Sequence, residues 1–559
     1  FMITPTKSVT TKWVDMPQAV ACYAPAYIYA LEKQWFKHSQ SFGLMQQAAW
    51  QITHWLLNQG ETPISTVLVV VGAGNNGGDG WLVAHYLAQH RPTWHITVVE
   101  MAAPTTADSQ QAKAIATILP QKIHCIDYHT FQAVNQQGLA VRYEVIIDAM
   151  FGIGLSRGMP ADYTAISRWI NQQKNSYAST QVISIDVPSG VNAATGEVYE
   201  DIAIHADITL CLGARKIGLH LGDAKAYVGR IIDIPLMPLT LPDNPIFYLN
   251  RPQRLSKRAQ ISHKGSYGHV LIIGGNRLET GQGMAGAALL SASSAFAAGA
   301  GKVTVACHRD FHGAIIANLP NAMTADLHDA LALSTLIAQV DVVAIGMGMG
   351  RDAASYQLFE QTLKISLAHQ KSCVIDADGL FHLSQYLSKN CPTPPTAPSL
   401  NPIAPPQAID LQTNNVQTSN PQKLAAHCYC TPHAGEAARL LGIDYQQVDR
   451  DKLSALTQLS QQYGGQWLIK GAETLVSENG DTFICGLGNA GMATAGMGDC
   501  LAGVVASFVA QHIHYPLISA TLIHAKAGDC LAASMGEYGL QAKHMAAAIA
   551  DTIHSEQLS

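Results

Sequence analysis

Two sets of residues in this chain have types and spacing that could do chemistry. The first opens with VVVGAGNNGGDG, Val69 to Gly80, where Gly72, Gly74 and Gly77 satisfy G-x-G-x-x-G behind a β-branched run, the pattern of a dinucleotide phosphate turn. Such a turn needs only small residues and bare backbone N–H groups, so Asn75, Asn76 and Asp79 are surplus to it and point to added polar chemistry. Three more turns follow strand-like runs: DAMFGIGLSRG from Asp148, DVPSGVNAATG from Asp186 and GARKIGL from Gly213. In open parallel sheets ligands collect at the carboxyl ends of strands, so the four turns are expected to converge on one edge. A dinucleotide fits there, and so does a cation. Asn76 and Ser189 offer neutral oxygens and Asp148 a single negative one, a set that favours a monovalent ion. Asp186, between VISI and VPSG, is the natural general acid/base.

The second set centres on GNAGMATAGMGDCLAG, Gly488 to Gly503, just ahead of an apolar helical run. Glycines that open a helix leave its first N–H groups free for an anion, so Gly496 to Gly498 could seat a phosphate. Asp499 stands at the same helix start. A carboxylate there repels a phosphoryl group unless it is the base that takes a proton from an attacking hydroxyl, and a helix cap is the alternative. Further turns end other strands: GMGMG from Gly346, DADGL from Asp376, TPHAGEAARLLG from Thr431 and KGAET from Lys470. His433 is either a loop histidine or a ligand group at a helix start. Lys470 ends a buried strand, where a cation calls for an anionic partner.

The elements that must position these residues follow from hydrophobic period. Residues 16–57 read as helices. Then VLVVVG, HITVVE, KIHCID, YEVIIDAM, QVISIDV, DITLCLG and RIIDIP alternate with amphipathic segments, which predicts βαβ units and a mainly parallel, doubly wound sheet. The proline-rich stretch from Leu239 to Gly265 is the best linker. A second α/β series runs HVLIIGG, a helix from Met284 to Ala298, KVTVACH, DVVAIGMG, SCVIDAD, CYCTPH, QWLIKG and TFICG, and closes with three helices after Gly498. No residue-level repeat relates the halves. Residues 390–422, rich in Pro, Asn, Thr and Gln, read as a surface excursion without chemistry.

A length of 559 residues requires more than one core, and two large domains are expected. The net charge of −6, with charged residues only 13% of the chain and no Lys/Arg block, excludes a nucleic-acid footprint. The 11 cysteines lie scattered in apolar segments, as reduced thiols do, and no second Cys/His pair at zinc spacing accompanies Cys428 and Cys430. No run approaches a membrane span and FMITPTKSVT lacks a signal pattern, so a cytoplasmic protein without membrane partners is expected.

GNNGGDG, DAMFGIGL, DVPSGVNAATG and the K-x-G-L at Lys216 together resemble the NAD(P)H-hydrate epimerase domain, the YjeF N-terminal family, over residues 16–238. That resemblance implies a Rossmann-like fold that interconverts the R and S hydrates of NADH and NADPH. It implies substrate contacts at Asn75, Asn76, Gly77, Gly78 and Asp79, at Gly152, Ile153, Gly154, Leu155, Ser156, Arg157 and Gly158, and at Asp186, with potassium at Asn76, Asp148 and Ser189. One departure is LMQQAAW from Leu44, where the family has LMENAG; Gln47 and Ala49 change that helix.

HKGSYGHVLIIGG, GMAGAALLSASSAFAAGAGKV, TPHAGE, KGAET and GMGDCLAG resemble the ribokinase-like NAD(P)H-hydrate dehydratase family, YjeF C-terminal, over residues 264–554 apart from the proline-rich insertion. This implies that Ala287, Gly348, His433 and Asp499 contact the hydrate, while Lys470, Gly471, Ala472, Glu473, Thr474 and Gly498 bind ADP or ATP, with magnesium. Met347 and Met349 stand in a GPGLG-like turn, and Ala495 and Met497 in a GGTGD-like one, without its threonine. The expected organisation is an epimerase domain at 2–240, a linker at 241–262 and a dehydratase domain at 263–559. The expected reaction is repair of hydrated NADH and NADPH: epimerisation, then dehydration of the S form at the expense of ADP or ATP, by an oligomer of identical chains. The rival readings are an NAD-dependent oxidoreductase with Glu100 on the adenosine ribose, a ribokinase-like small-molecule kinase fused to an NAD-binding domain, and a binding module without turnover.

Overall fold

The computed structural model describes residues 19–59, 64–118, 122–137, 142–278, 281–390 and 423–558, so the proline-rich insertion lies outside the described residues. Two compact units are present, one spanning Ala21–Ile246 and one built from the residues up to Val20 together with Phe247–Ser559.

After a short strand β1 (Val20–Cys22), the first unit runs α1 (Pro25–Trp35), α2 (Ser41–Leu57), β2 (Thr66–Val71), α3 (Asn75–His90), β3 (His95–Glu100), α4 (Ala107–Ala116), β4 (Ile123–Asp127), α5 (Tyr128–Gln136), β5 (Val145–Ala149), α6 (Ala161–Ser176), β6 (Gln181–Ile185), β7 (Ile208–Leu212) and β8 (Arg230–Ile234). All seven predicted strands are there, in the order β4-β3-β2-β5-β6-β7-β8 and all parallel. Strand order reverses between β2 and β5, which opens the crevice where such sheets bind ligands. Helices α2, α3 and α4 cover one face, packing Met45, Ile52 and Trp81 on Val69 and Ile147. Tyr128, Phe131, Ile166 and Ile170 from α5 and α6 cover the other, against Leu68 and Ile146.

The second unit holds β9 (Ile246–Leu249), β10 (His269–Ile273), α7 (Ala285–Ala297), β11 (Lys302–Cys307), α8 (His312–Asn318), β12 (Met323–Asp326), α9 (Ala330–Gln339), β13 (Val342–Ile345), α10 (Ala353–Ala368), β14 (Ser372–Ile375), α11 (Asp378–Asn390), β15 (Leu424–Cys430), α12 (Ala434–Leu441), α13 (Tyr445–Arg450), α14 (Lys452–Tyr463), β16 (Gly464–Ile469), β17 (Thr474–Glu478), β18 (Asp481–Cys485), α15 (Met497–Ala510), α16 (Pro516–Met535) and α17 (Met545–Leu558). These strands run β9-β18-β17-β16-β15-β14-β13-β10-β11-β12. The block from β16 to β12 is parallel, and β17 and β18 turn back antiparallel. Strand β9 lies inside the stretch read as a linker, because the apolar IFYL buries Phe247 and Leu249 despite its proline neighbours. Helices α7 and α15 approach closely at Gly503, where any Cβ would collide with the Ser291 carbonyl oxygen.

Candidate active sites

In the first unit a cavity of about 500 Å³ opens at the carboxyl edge of the sheet. Strand β2 ends at Gly72, whose missing side chain lets the chain pass the Met150 carbonyl, and α3 starts at Asn75. That places Asn75, Asn76 and Asp79 on the cavity wall at a helix N-terminus. Asp186 follows β6 with φ +70, a left-handed conformation that costs a residue with a Cβ about 1 kcal/mol and aims its carboxyl inward. Its Oδ1 accepts the Leu212 N–H at 3.2 Å and the Lys216 ammonium. Lys216 is only 2% exposed. Burial works most strongly against its charge, but Asp186, Cys211 and Glu32 together outweigh it and raise its proton affinity. Asp79, 8% exposed, has no hydrogen-bond or ion-pair partner among the described residues. Burial first, then Asp186 and Glu32, hold its carboxyl well above the usual range.

Asp148 is fully buried behind this wall. Its carboxylate accepts the Ser189 N–H at 2.8 Å, the Ser189 hydroxyl at 2.6 Å, the Ser184 hydroxyl at 2.8 Å and the Met150 N–H at 3.2 Å. Burial nevertheless leaves its proton affinity raised. Both amide atoms of Asn76 are buried without a hydrogen-bond partner. An orphaned amide oxygen on the cavity wall, a desolvated carboxylate behind it and a serine hydroxyl are donor types that a monovalent cation fits.

Several expected contacts are not at the cavity. Gly77 and Gly78 are buried inside the first turn of α3; a Cβ on Gly77 would strike the Gly72 carbonyl, and one on Gly78 the Met45 side chain, so these glycines serve packing. Gly152, Ile153, Gly154 and Leu155 line the wall, whereas Ser156, Arg157 and Gly158 fall beyond it. Residues outside the expected contacts do line it: Tyr29 and Glu32 from α1, and Lys216, which the sequence signalled only as part of a motif. Glu100, which the oxidoreductase reading would place on the ribose, pairs with Lys113 at 2.6 Å and 2.8 Å.

In the second unit the predicted residues gather at the carboxyl edge of β13, β14 and β16. Gly498 and Asp499 occupy the first turn of α15, behind Gly496 in a left-handed conformation at φ +90. A Cβ on Gly498 would lie 3.2 Å from Lys470 Nζ and 3.5 Å from Asp376 Oδ2. Lys470 Nζ donates to Asp376 Oδ1 at 2.7 Å, the anionic partner its position called for. Burial pushes the Asp499 carboxyl up to about 7, assisted by the negative charge of Asp376 and opposed by Lys470. Ala287 and Gly348 are neighbours: a Cβ on Gly348, itself at φ +66, would sit 3.2 Å from that of Ala287. Ala377, between Asp376 and Asp378, is also left-handed, so a strained backbone marks a strand-end aspartate in each unit.

His433 is a cap. Its Nδ1 accepts the Gly435 N–H at 3.0 Å and the Glu436 N–H at 3.3 Å, and Glu436 reaches back to its N–H at 2.9 Å. The ring stays 59% exposed, and partial burial with the nearby Lys470 charge lowers its proton affinity. Glu473 pairs with Lys452 at 2.6 Å, and the Thr474 hydroxyl turns back to the Gly471 carbonyl at 3.4 Å, while Ala472 continues the same turn. Among the described residues no cluster of three His, Cys, Asp or Glu side chains could hold a metal. Their ten cysteines form no disulfide with one another. No helix among those residues is long and apolar enough to cross a membrane.

Each unit thus presents a polar site where strands of a parallel sheet end, one Rossmann-like and one ribokinase-like: a two-site α/β enzyme. A family model described as YjeF-related protein N-terminus matches residues 41–218, and one described as NAD(P)H-hydrate dehydratase matches residues 270–396 and 406–551. The chain is 33% identical over 466 residues to the bifunctional NAD(P)H-hydrate repair enzyme of Coxiella burnetii, covering 80% of this chain and 81% of that protein. It is 30% identical over 459 residues to the enzyme of the same description from Vibrio cholerae, covering 79% of each. A ribokinase-like superfamily protein from Enterococcus faecalis is 26% identical, with a TM-score of 0.44, covering 56% of this chain and 97% of that one. The chain belongs to the bifunctional NAD(P)H-hydrate repair enzymes.

Proposed function

We propose that the first unit interconverts the R and S hydrates of NADH and NADPH, and that the second dehydrates the S form with ADP or ATP. The domains run over about residues 2–240 and, because β9 joins the second sheet, from about residue 246 to 559. In the first site Asp186, oriented by Lys216, is the proton-transfer group, and Asn75, Asn76, Asp79 and Gly152 to Leu155 contact the hydrate. Potassium would be held by Asn76, Asp148 and Ser189, where it supplies positive charge beside a dinucleotide. In the second, Asp499 takes the proton of the ring hydroxyl, whose oxygen attacks the terminal phosphorus. The bond to the bridging oxygen breaks and AMP or ADP leaves. Phosphate then departs with the C–O bond as the ring loses a proton, which restores the dihydronicotinamide. Lys470 and the free N–H groups at Gly498 suit the phosphates. Magnesium would come with the nucleotide, held by its phosphates and one or two carboxylates rather than by a cluster of protein ligands. Described cysteines without a disulfide suit a reducing, cytoplasmic setting.

The observation that carries the dehydratase reading is the glycine turn of Gly496 to Gly498 closing on the Lys470–Asp376 pair, with Asp499 next in the chain and its carboxyl pushed up to about 7 by burial. A mixture of hydrates is incubated with ADP or ATP separately while dihydronicotinamide absorbance is followed. Full recovery of NADH with one phosphate released per turnover is expected. A stable phosphorylated product would instead mark a small-molecule kinase, and no absorbance change would reject the reading.

A further inference from the structure

Epimerisation at a hydrated ring carbon has a geometric demand that one carboxylate cannot meet. The hydroxyl leaves one face of the ring and a water oxygen enters the other, so a proton must be given on one side and taken on the other. Asp186 is fixed on its side: Oδ1 is occupied by Leu212 N–H and the Lys216 ammonium, and Oδ2 faces Gly152. A second group must come from another element.

We infer that Glu32, carried to the cavity by α1, is that second proton-transfer residue, working across the ring from the Asp186–Lys216 pair. Glu32 lines the same cavity as Asp186 and has no hydrogen bond or ion pair among the described residues, so its carboxyl is uncommitted. It lies outside the segment matched to the epimerase family, which starts at residue 41. Helix α1 is held to the unit by the Tyr27 hydroxyl, which donates to the Thr240 carbonyl at 3.1 Å, and by Ile28, buried with Tyr23 and Ala214. The groups facing Glu32 are Tyr29 on its own helix, Asp79 on α3, Asp108 on α4, Asp186 after β6 and Lys216 after β7. Burial raises its proton affinity, Asp186 adds to this and Lys216 opposes it, which suits a group that starts protonated.

The step balances. Glu32 gives its proton to the ring hydroxyl, the C–O bond breaks and water leaves with the electron pair. The ring nitrogen lone pair forms the C=N bond of an iminium cation, which the surrounding carboxylates stabilise. A water on the opposite face attacks the carbon, its proton passes to Asp186, and solvent resets the two carboxyls. The reverse direction exchanges their roles, so the active form carries one proton on the pair.

This inference rests on the epimerase reading, and the experiment separates the two. Catalysed interconversion is measured from pH 5 to 9 in H2-18-O for the full-length protein, Glu32→Gln, Glu32→Asp and Asp186→Asn. The unaltered protein should give a bell-shaped profile with one labelled oxygen per interconversion. Glu32→Gln should lose about 100-fold or more in kcat with little change in KM, and lose the high-pH limb. Glu32→Asp should keep that limb at an intermediate rate. A Gln variant that retains its rate, or slows while keeping the high-pH limb, overturns the inference. An unaltered protein that catalyses no interconversion would sink the underlying epimerase reading, and an unimpaired Asp186→Asn would sink only the role given to Asp186.

Discussion

In the proposed reaction Asp499 stands beside a phosphate seat, where repulsion would be costly unless its charge is used as a base. A base works only when ionised, and this carboxyl is pushed up to about 7 by burial. Dehydration at saturating nucleotide should therefore climb about tenfold per pH unit below 7 and level off above it. Initial rates between pH 5.5 and 8.5 test this. Asp499→Asn should remove the slope along with about a hundredfold or more of the rate, while epimerisation continues. At the other site, the orphaned Asn76 amide predicts a different signature. Epimerisation should be faster in potassium than in choline chloride, and Asn76→Ala should erase the difference. An alanine variant that keeps the full potassium response would place the ion elsewhere.

Helix α16 begins against a buried carboxylate: Glu478, fully buried at the end of β17, accepts the Leu517 N–H at 2.9 Å and the Ile518 N–H at 3.0 Å. Those two bonds favour the charged form, but burial prevails and raises the carboxyl from 4.5 to about 7. A raised folded value means that the folded state holds the extra proton between these limits, so stability falls as pH rises from 4.5 through 7, by about 3 kcal/mol for this one group. Calorimetric unfolding at pH 5 and pH 8 should show Glu478→Gln losing less stability than the parent; equal losses would exclude Glu478 as the source. Elements of this kind differ in how far sequence discloses them. TVLVVV and HVLII were legible because both faces are buried, which leaves an unbroken β-branched run. Met323–Asp326 was not, because an edge strand that is half exposed carries no such run, and IFYL was masked by the prolines around it. Asp186, Lys470 and Asp499 were legible because strand and helix ends were, and an aspartate or lysine at such an end is conspicuous. The H-x-x-E spacing of His433 and Glu436 was a capping signal that could have been read. Glu32 could not be, since only the docking of α1 brings it to Asp186, and no local pattern encodes that distance.

On the scale of the whole chain, the pairing of two chemistries has a logic that can be tested. Dehydration acts on one epimer, so a dehydratase alone strands the R form, and the fused epimerase exists to feed it. If the S hydrate passes between sites through solution, the two activities need not share a molecule. Asp186→Asn should then consume only the S half of a mixed hydrate at the enzymatic rate, and Asp499→Asn should consume neither half while equilibrating them. Mixing the two variants should restore complete conversion, at a rate that rises with the concentration of either. Should the mixture stall at half conversion while each variant keeps its surviving activity, free exchange is excluded. The substrate would then have to be handed over within one chain, and fusion would be part of the mechanism rather than a convenience of expression.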